Sequence, residues 1–147
     1  LPNPGAQPDY SNPNWPARGL TFERVKATGV YRAAASVESW GEPTFADVVF
    51  RDVQIEYTGG GTADDTKLPV RQPGVDARKL PAWGFFVRGV HDLTLERVSL
   101  TLREPDRRPV LMADNVELLR LREFRHPDPP AGLAPLALTA VTRMERD

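Results

Sequence analysis

Leu20-Thr21-Phe22-Glu23-Arg24-Val25, Val48-Val49-Phe50-Arg51-Asp52-Val53, Leu93-Thr94-Leu95-Glu96-Arg97-Val98 and Leu119-Arg120-Leu121-Arg122-Glu123-Phe124 are four versions of one six-residue unit. Each reads aliphatic-x-apolar-x-x-apolar, and an apolar residue stands three positions ahead of it: Ala17, Phe45, Val90 and Val116. The units start 28, 45 and 26 residues apart. No window carries a sustained 3.6-residue period. Val53, Ile55 and Tyr57, and Val98, Leu100 and Leu102, continue two copies with the period-2 alternation of a strand. A repeat of this length, made of strand and turn, points to stacked units. Trp40, Phe85 and Leu111, each eight residues before the first aliphatic, are expected to share one column.

The charged pair inside the unit carries more information than the apolar frame. Its first position reads Glu23, Arg51, Glu96, Arg122, and its second reads Arg24, Asp52, Arg97, Glu123. Both columns alternate in sign, out of phase with each other. On neighbouring parallel strands these side chains lie about 4.8 Å apart, where opposite charges attract and like charges repel. A slip by one copy would set charge against like charge, so the ladder also fixes register. The fold expected is all-β, a parallel β-helix solenoid of about four coils. A β-sandwich is the competing topology. A leucine-rich repeat has a similar period, but its asparagine and helical half are missing.

Along the chain, residues 1–16 hold five prolines and three asparagines and read as an extended arm, with Tyr10 and Trp15 its large aromatics. The coils are expected over 17–141, with 58–79 an inserted loop that begins Gly59-Gly60-Gly61. The charged tail 142–147 is expected to fray. A start at Leu1, without Met or a signal peptide, suggests a piece of something longer. The arm makes a poor cap by composition, so upstream coils or another chain are expected at the N-terminal end.

Composition narrows the function classes. With 19 basic and 20 acidic residues the formal charge is −1, without the basic excess of a nucleic-acid binder. No apolar stretch approaches the length of a membrane span. The chain has no cysteine, which excludes disulfides and thiolate metal sites.

The stretch from Phe45 to Asp114 includes Phe-Ala-Asp-Val-Val-Phe-Arg-Asp-Val-Gln-Ile-Glu-Tyr-Thr-Gly-Gly-Gly-Thr-Ala-Asp-Asp and then Leu80-Pro-Ala-Trp-Gly-Phe-Phe-Val-Arg-Gly-Val-His-Asp-Leu-Thr-Leu-Glu-Arg-Val. It resembles the C-terminal coils of bacterial polygalacturonase-like glycoside hydrolases (family 28) and their right-handed β-helix relatives. The resemblance covers about half the chain, and the Gly-Gly-Gly loop with Leu-Pro-Ala-Trp-Gly-Phe is its most specific part. It implies a right-handed helix, metal-free hydrolysis of pectin-like polymers by carboxylates on one face, and a secreted or periplasmic bacterial protein. The family's Asn-Thr-Asp, Gly-Asp-Asp, Gly-His-Gly and Arg-Ile-Lys motifs are absent here. Asp64-Asp65 is flanked by Ala63 and Thr66, and neither His91 nor His126 sits between glycines.

No catalytic residue is therefore assigned, and no cofactor or metal is expected. Asp47 and Asp92 share a column and are the one pair to test against the carboxylate separation of a glycosidase. Asp is equally a former of turns at such corners. Arg71, Arg78 and Lys79, with Lys67, make the inserted loop basic and suited to an acidic sugar polymer; a solvated loop is the ordinary reading. Trp83 is either a sugar-stacking platform or core. His91 and Asp92 are adjacent and lack a third ligand at zinc spacing. Two readings stand: a C-terminal segment of a polysaccharide-acting hydrolase relative, or a non-catalytic carbohydrate-binding or scaffold module.

Overall fold

A computed structural model describes residues 17–31, 34–41 and 45–147; the N-terminal arm with Tyr10 and Trp15 lies outside them. Six strands form one parallel sheet: β1 (Ala17–Val30), β2 (Ala35–Glu38), β3 (Phe45–Tyr57), β4 (Phe85–Leu102), β5 (Leu111–Arg125) and β6 (Leu136–Arg146). The order is β1-β3-β4-β5-β6, with β2 beside the first residues of β4. The fold is all-β. A single 3-10 turn, Ala63–Lys67, is the one helical element among the described residues.

The pairing follows the repeat. Leu20, Val48, Leu93, Leu119 and Met144 lie on five successive rows. Ala17, Phe45, Val90, Val116 and Val141 form a second column, and Val25, Val53, Val98 and Phe124 a third. Burial follows from having a neighbour on both sides. Val48, Leu93 and Leu119 in the middle rows are at most 1% exposed, whereas Met144 on the last row is 39% exposed. Each fully buried aliphatic contributes about 1.5–3 kcal/mol. Aromatic contacts cross the rows as well: Phe22 stacks on Phe50 at 4.7 Å, and Phe50 meets Phe85 edge-on at 5.3 Å.

The unit apolar-x-x-apolar cannot sit on a straight strand, because period-2 alternation would send its two apolar ends to opposite faces. The backbone resolves this with a corner. Arg24, Asp52, Arg97 and Glu123, the second charged column, all lie at φ between 49° and 55°. Non-glycine residues in this left-handed region are strained by about 1–2 kcal/mol each. Four in one column are held there by the apolar residues they turn inward.

The first charged column is in register as expected, Glu23 beside Arg51, Arg51 beside Glu96 and Glu96 beside Arg122. The closest bonds join β3 and β4. Arg51 Nε donates to Glu96 Oε2 at 2.6 Å, and Arg97 Nε donates to Asp52 Oδ1 at 2.6 Å. The hydrogen bond from Arg51 holds the Glu96 carboxyl below its usual range, and that from Arg97 does the same for Asp52.

Three expectations need correction. Trp40 does not share a column with Phe85 and Leu111; Ala35 does, because residues 39–44 are inserted between β2 and β3. Trp40 lies in that insertion with the Arg88 guanidinium 4.2 Å over its ring. The tail does not fray: β6 runs to Arg146 and adds a fifth row, with Arg120 Nε donating to Glu145 Oε2 at 3.3 Å. The 58–79 loop is also not simply solvated. Its first residues continue the ladder, Thr58 N–H to Val30 O at 3.0 Å and Glu104 N–H to Thr58 O at 3.1 Å.

Gly61 lies against a buried ion pair, Asp106 with Arg108, whose side chains are 0% and 6% exposed. Arg108 Nη2 donates to Asp106 Oδ2 at 2.7 Å and Nη1 to Leu80 O at 3.0 Å. The Gly61 N–H donates to Asp106 Oδ2 at 2.9 Å. A Cβ on Gly61 would overlap Arg108 Nε and Asp106 Oδ1, so only glycine fits there. Burial alone would raise the Asp106 carboxyl, but bonds from Arg108 and Gly61 outweigh it and hold it low.

Glu96→Arg faces Arg51 and Arg122 and will lower the urea midpoint. Inverting both charged columns together, at 23/24, 51/52, 96/97 and 122/123, will recover most of that loss, whereas inverting only Arg51 and Glu96 will not. Asp52, Glu96 and Asp106 titrate lower folded than unfolded, so their stabilisation is full above the unfolded value of about 4. It is lost as pH falls through the folded values, and acid melts of Glu96→Gln will show a shallower loss. Arg108→Met leaves Asp106 buried without its cation and will cost about 3–5 kcal/mol in a denaturant titration.

Candidate functional site

The residues singled out from sequence do not converge on one site. Asp47 and Asp92 are neighbours on β3 and β4, and Asp92 Oδ1 accepts the Asp47 backbone N–H at 2.8 Å. Asp47 itself sits at φ 52°. The Asp92 carboxylate thus closes a corner, with Arg120 Nη1 4.0 Å from its other oxygen. Trp83 is 4% exposed and meets Tyr57 edge-on at 5.6 Å. The Tyr57 hydroxyl donates to Gly84 O at 2.6 Å, and burial pushes its pKa up to about 12.

The basic loop is largely neutralised by its own surroundings. Arg78 grips Glu38 with both terminal nitrogens, Nη1 at 3.0 Å from Oε1 and Nη2 on Oε2, and both side chains are nearly buried. Arg78 Nη1 also donates to Arg71 O at 2.5 Å. Lys79 Nζ lies 2.9 Å from Asp65 Oδ1, while Asp65 Oδ2 accepts the Thr62 N–H at 2.7 Å. Burial works to raise the Asp65 carboxyl, and the Lys79 and Thr62 bonds overcome it. The Arg71 side chain is exposed. Asp64 is exposed while Asp65 is buried, so the bare pair points two ways.

His91 Nδ1 lies 3.1 Å from Glu117 Oε2 across β4 and β5, and His126 Nδ1 lies 2.9 Å from Pro127 O. Among the described residues no three His, Cys, Asp or Glu side chains gather as a metal site would require.

Two of the concave features among the described residues bear on a ligand site. A cavity of about 480 Å³ opens between 102–110 and 126–135, lined by Trp83, Leu102, Pro105, His126, Pro130 and Pro135. Its walls are mainly apolar and its one buried carboxylate, Asp106, is already bonded to Arg108.

The second feature is a shallow polar groove on the outer side of the sheet, just past the left-handed corner. Two hollows of about 220 and 300 Å³ share Gln54 and Ser99 and together reach from Lys26 to Arg125. Lys26, Gln54, Ser99 and Arg125 are register partners on β1, β3, β4 and β5, so they form one line across four rows. They point outward because the alternate column, Ala27, Ile55 and Leu100, points in. The acidic residues beside the line are bonded to arginines: Asp52 to Arg97, and Glu56 to Arg103 at 2.8 Å. Glu123 lies 3.8 Å from Arg125. The line was readable from the repeat, each member standing one residue after the third apolar column. It contains no carboxylate or histidine, the residue types by which a site is recognised in a sequence.

Chemically the groove offers an amide, a hydroxyl and two cations at strand spacing, and no nucleophile beside a base. No protein-family model, curated protein or solved structure matches this chain.

Proposed function

We propose that the chain is a non-catalytic segment of a right-handed parallel β-helix that holds an extended acidic polysaccharide along the Lys26–Arg125 line. The observation that carries the binding surface is the register of Lys26, Gln54, Ser99 and Arg125 on four adjacent strands. Strands about 4.8 Å apart offer a donor roughly once per sugar of an extended polymer laid across them. Lys26 and Arg125 at the two ends would meet uronate carboxylates with charge-assisted bonds. Between them, Gln54 and Ser99 suit hydroxyl groups.

The solenoid reading is supported by strands that pair in parallel in the order β1-β3-β4-β5-β6, with the short 3-10 turn the one helical element between them among the described residues. Parallel neighbours need a crossover of a dozen residues or more, usually helical. Here irregular chain makes the returns over 103–110 and 126–135, as in a coil. Right-handedness follows from the strong preference of parallel crossovers. The non-catalytic reading rests on the carboxylates: Asp92 bonds the Asp47 backbone, Asp65 bonds Lys79, and Asp106 bonds Arg108. A parent hydrolase with its acid and base on other coils accommodates the same segment.

Titration calorimetry of the purified chain with polygalacturonate will show binding that weakens with added salt. The combined Lys26→Ala and Arg125→Ala variant will bind about tenfold more weakly, a loss of about 1.4 kcal/mol, with its melting temperature little changed. Asp47→Asn and Asp92→Asn will leave binding intact. Absence of polygalacturonate binding, or release of reducing sugar by the chain alone, contradicts the proposal.

A further inference from the structure

β1 is paired with β3 on one side only; among the described residues its other edge has no strand beside it. That edge has the apolar frame of an inner row. Phe22 is 45% and Val25 39% exposed there, whereas Val53, the partner of Val25 one row in, is 1% exposed. A hollow of about 310 Å³ runs under it, lined by Leu20, Phe22, Phe45, Val48 and Phe50 among others. Next to these, Glu23 and Arg24 open the charge ladder. The Arg24 side chain is 80% exposed, with Glu23 on its own strand at 3.8 Å and Asp52 of β3 close enough to feel its charge.

The ladder states what would complete it. Each inner row places a cation beside a carboxylate in both charged columns. A further row on β1 therefore needs Arg or Lys opposite Glu23 and Asp or Glu opposite Arg24. Residues 1–16 contain no Lys or Arg and five prolines, and they are fewer than the 25 to 45 residues that separate successive rows. A second copy stacked by its β6 is also disfavoured. The register that pairs Leu121 with Arg146 would set Asp147 against Glu23 and Arg146 against Phe22.

We propose that the open edge of β1 is a docking site for a parallel β-strand from another polypeptide segment, of the pattern aliphatic-x-apolar-(Arg/Lys)-(Asp/Glu)-apolar. Main-chain bonds to the edge supply affinity, the apolar columns cover Phe22 and Val25, and the charged pair selects register and partner. This inference is independent of the polysaccharide reading.

The test uses the full chain and a labelled peptide copying residues 45–57, which carries Arg51-Asp52 in that pattern. Fluorescence anisotropy should show the peptide binding at least tenfold more tightly than the same peptide with Arg51→Glu and Asp52→Arg. The protein variant Glu23→Arg with Arg24→Glu should reverse that preference, which places the peptide on β1 and not on the β6 edge. Equal binding of the two peptides, binding of neither, or a preference unchanged in the variant would overturn the proposal. The peptide comparison on the unaltered chain stands even if the variant folds poorly.

Discussion

Everything in this molecule depends on a left-handed corner placed at the same position of β1, β3, β4 and β5. The corner lets Phe22 and Val25, or Leu95 and Val98, point to the same side although two residues separate them. It lies at Arg24, Asp52, Arg97 and Glu123, three of them long side chains that rarely adopt φ near 50°. Strain of this size persists only where the surroundings over-determine it. Here the surroundings are the apolar columns on either side and the ion pairs that hold the corner side chains, Arg97 to Asp52 above all. Parallel register, core and outer groove all follow from that bend.

The same dependence explains how burial is distributed. A row gains its core only from the rows on both sides of it, as in any one-dimensional stack. Val48, Leu93 and Leu119 are almost fully buried, and the outer rows leave Phe22, Val25, Leu138 and Met144 partly open. The inserted 58–84 segment does not interrupt this arrangement, because Thr58, Gly60 and Gly61 are bonded to 104–107 and Leu80 is buried beside Phe86. Long surface insertions are tolerated when their ends are held in this way.

Much of this was legible in the sequence because it repeats. The four apolar units and the two sign-alternating columns gave the strands, their parallel order and their register. What escaped did not repeat. Residues 39–44 shift Trp40 out of its expected column, and no periodic signal announces an insertion of that size. The fifth row does not read as a copy of the unit, because Arg146 stands where the other rows carry Phe22, Phe50, Leu95 and Leu121. Asp147, past the end of β6, lies beside Glu123, whose N–H it accepts at 3.0 Å. The Asp106–Arg108 pair, two residues apart in a proline-rich turn, reads as ordinary surface charge until the buried Gly61 contact is seen. Of the candidate charged residues, Asp92, Arg78 and Lys79 are held by local partners, while the line of Lys26, Gln54, Ser99 and Arg125 lies open within the repeat itself.

The most direct measurement exploits a chain without cysteine. Arg51→Cys with Glu96→Cys places two thiols opposite each other on neighbouring parallel strands, within the Cα separation of about 4.4–6.8 Å that a disulfide spans. The account predicts that this pair closes rapidly under mild oxidation and that Arg51→Cys with Ser99→Cys, three residues out of register, does not. Equal or preferential closure of the second pair would contradict the register, and with it the corner on which the structure rests.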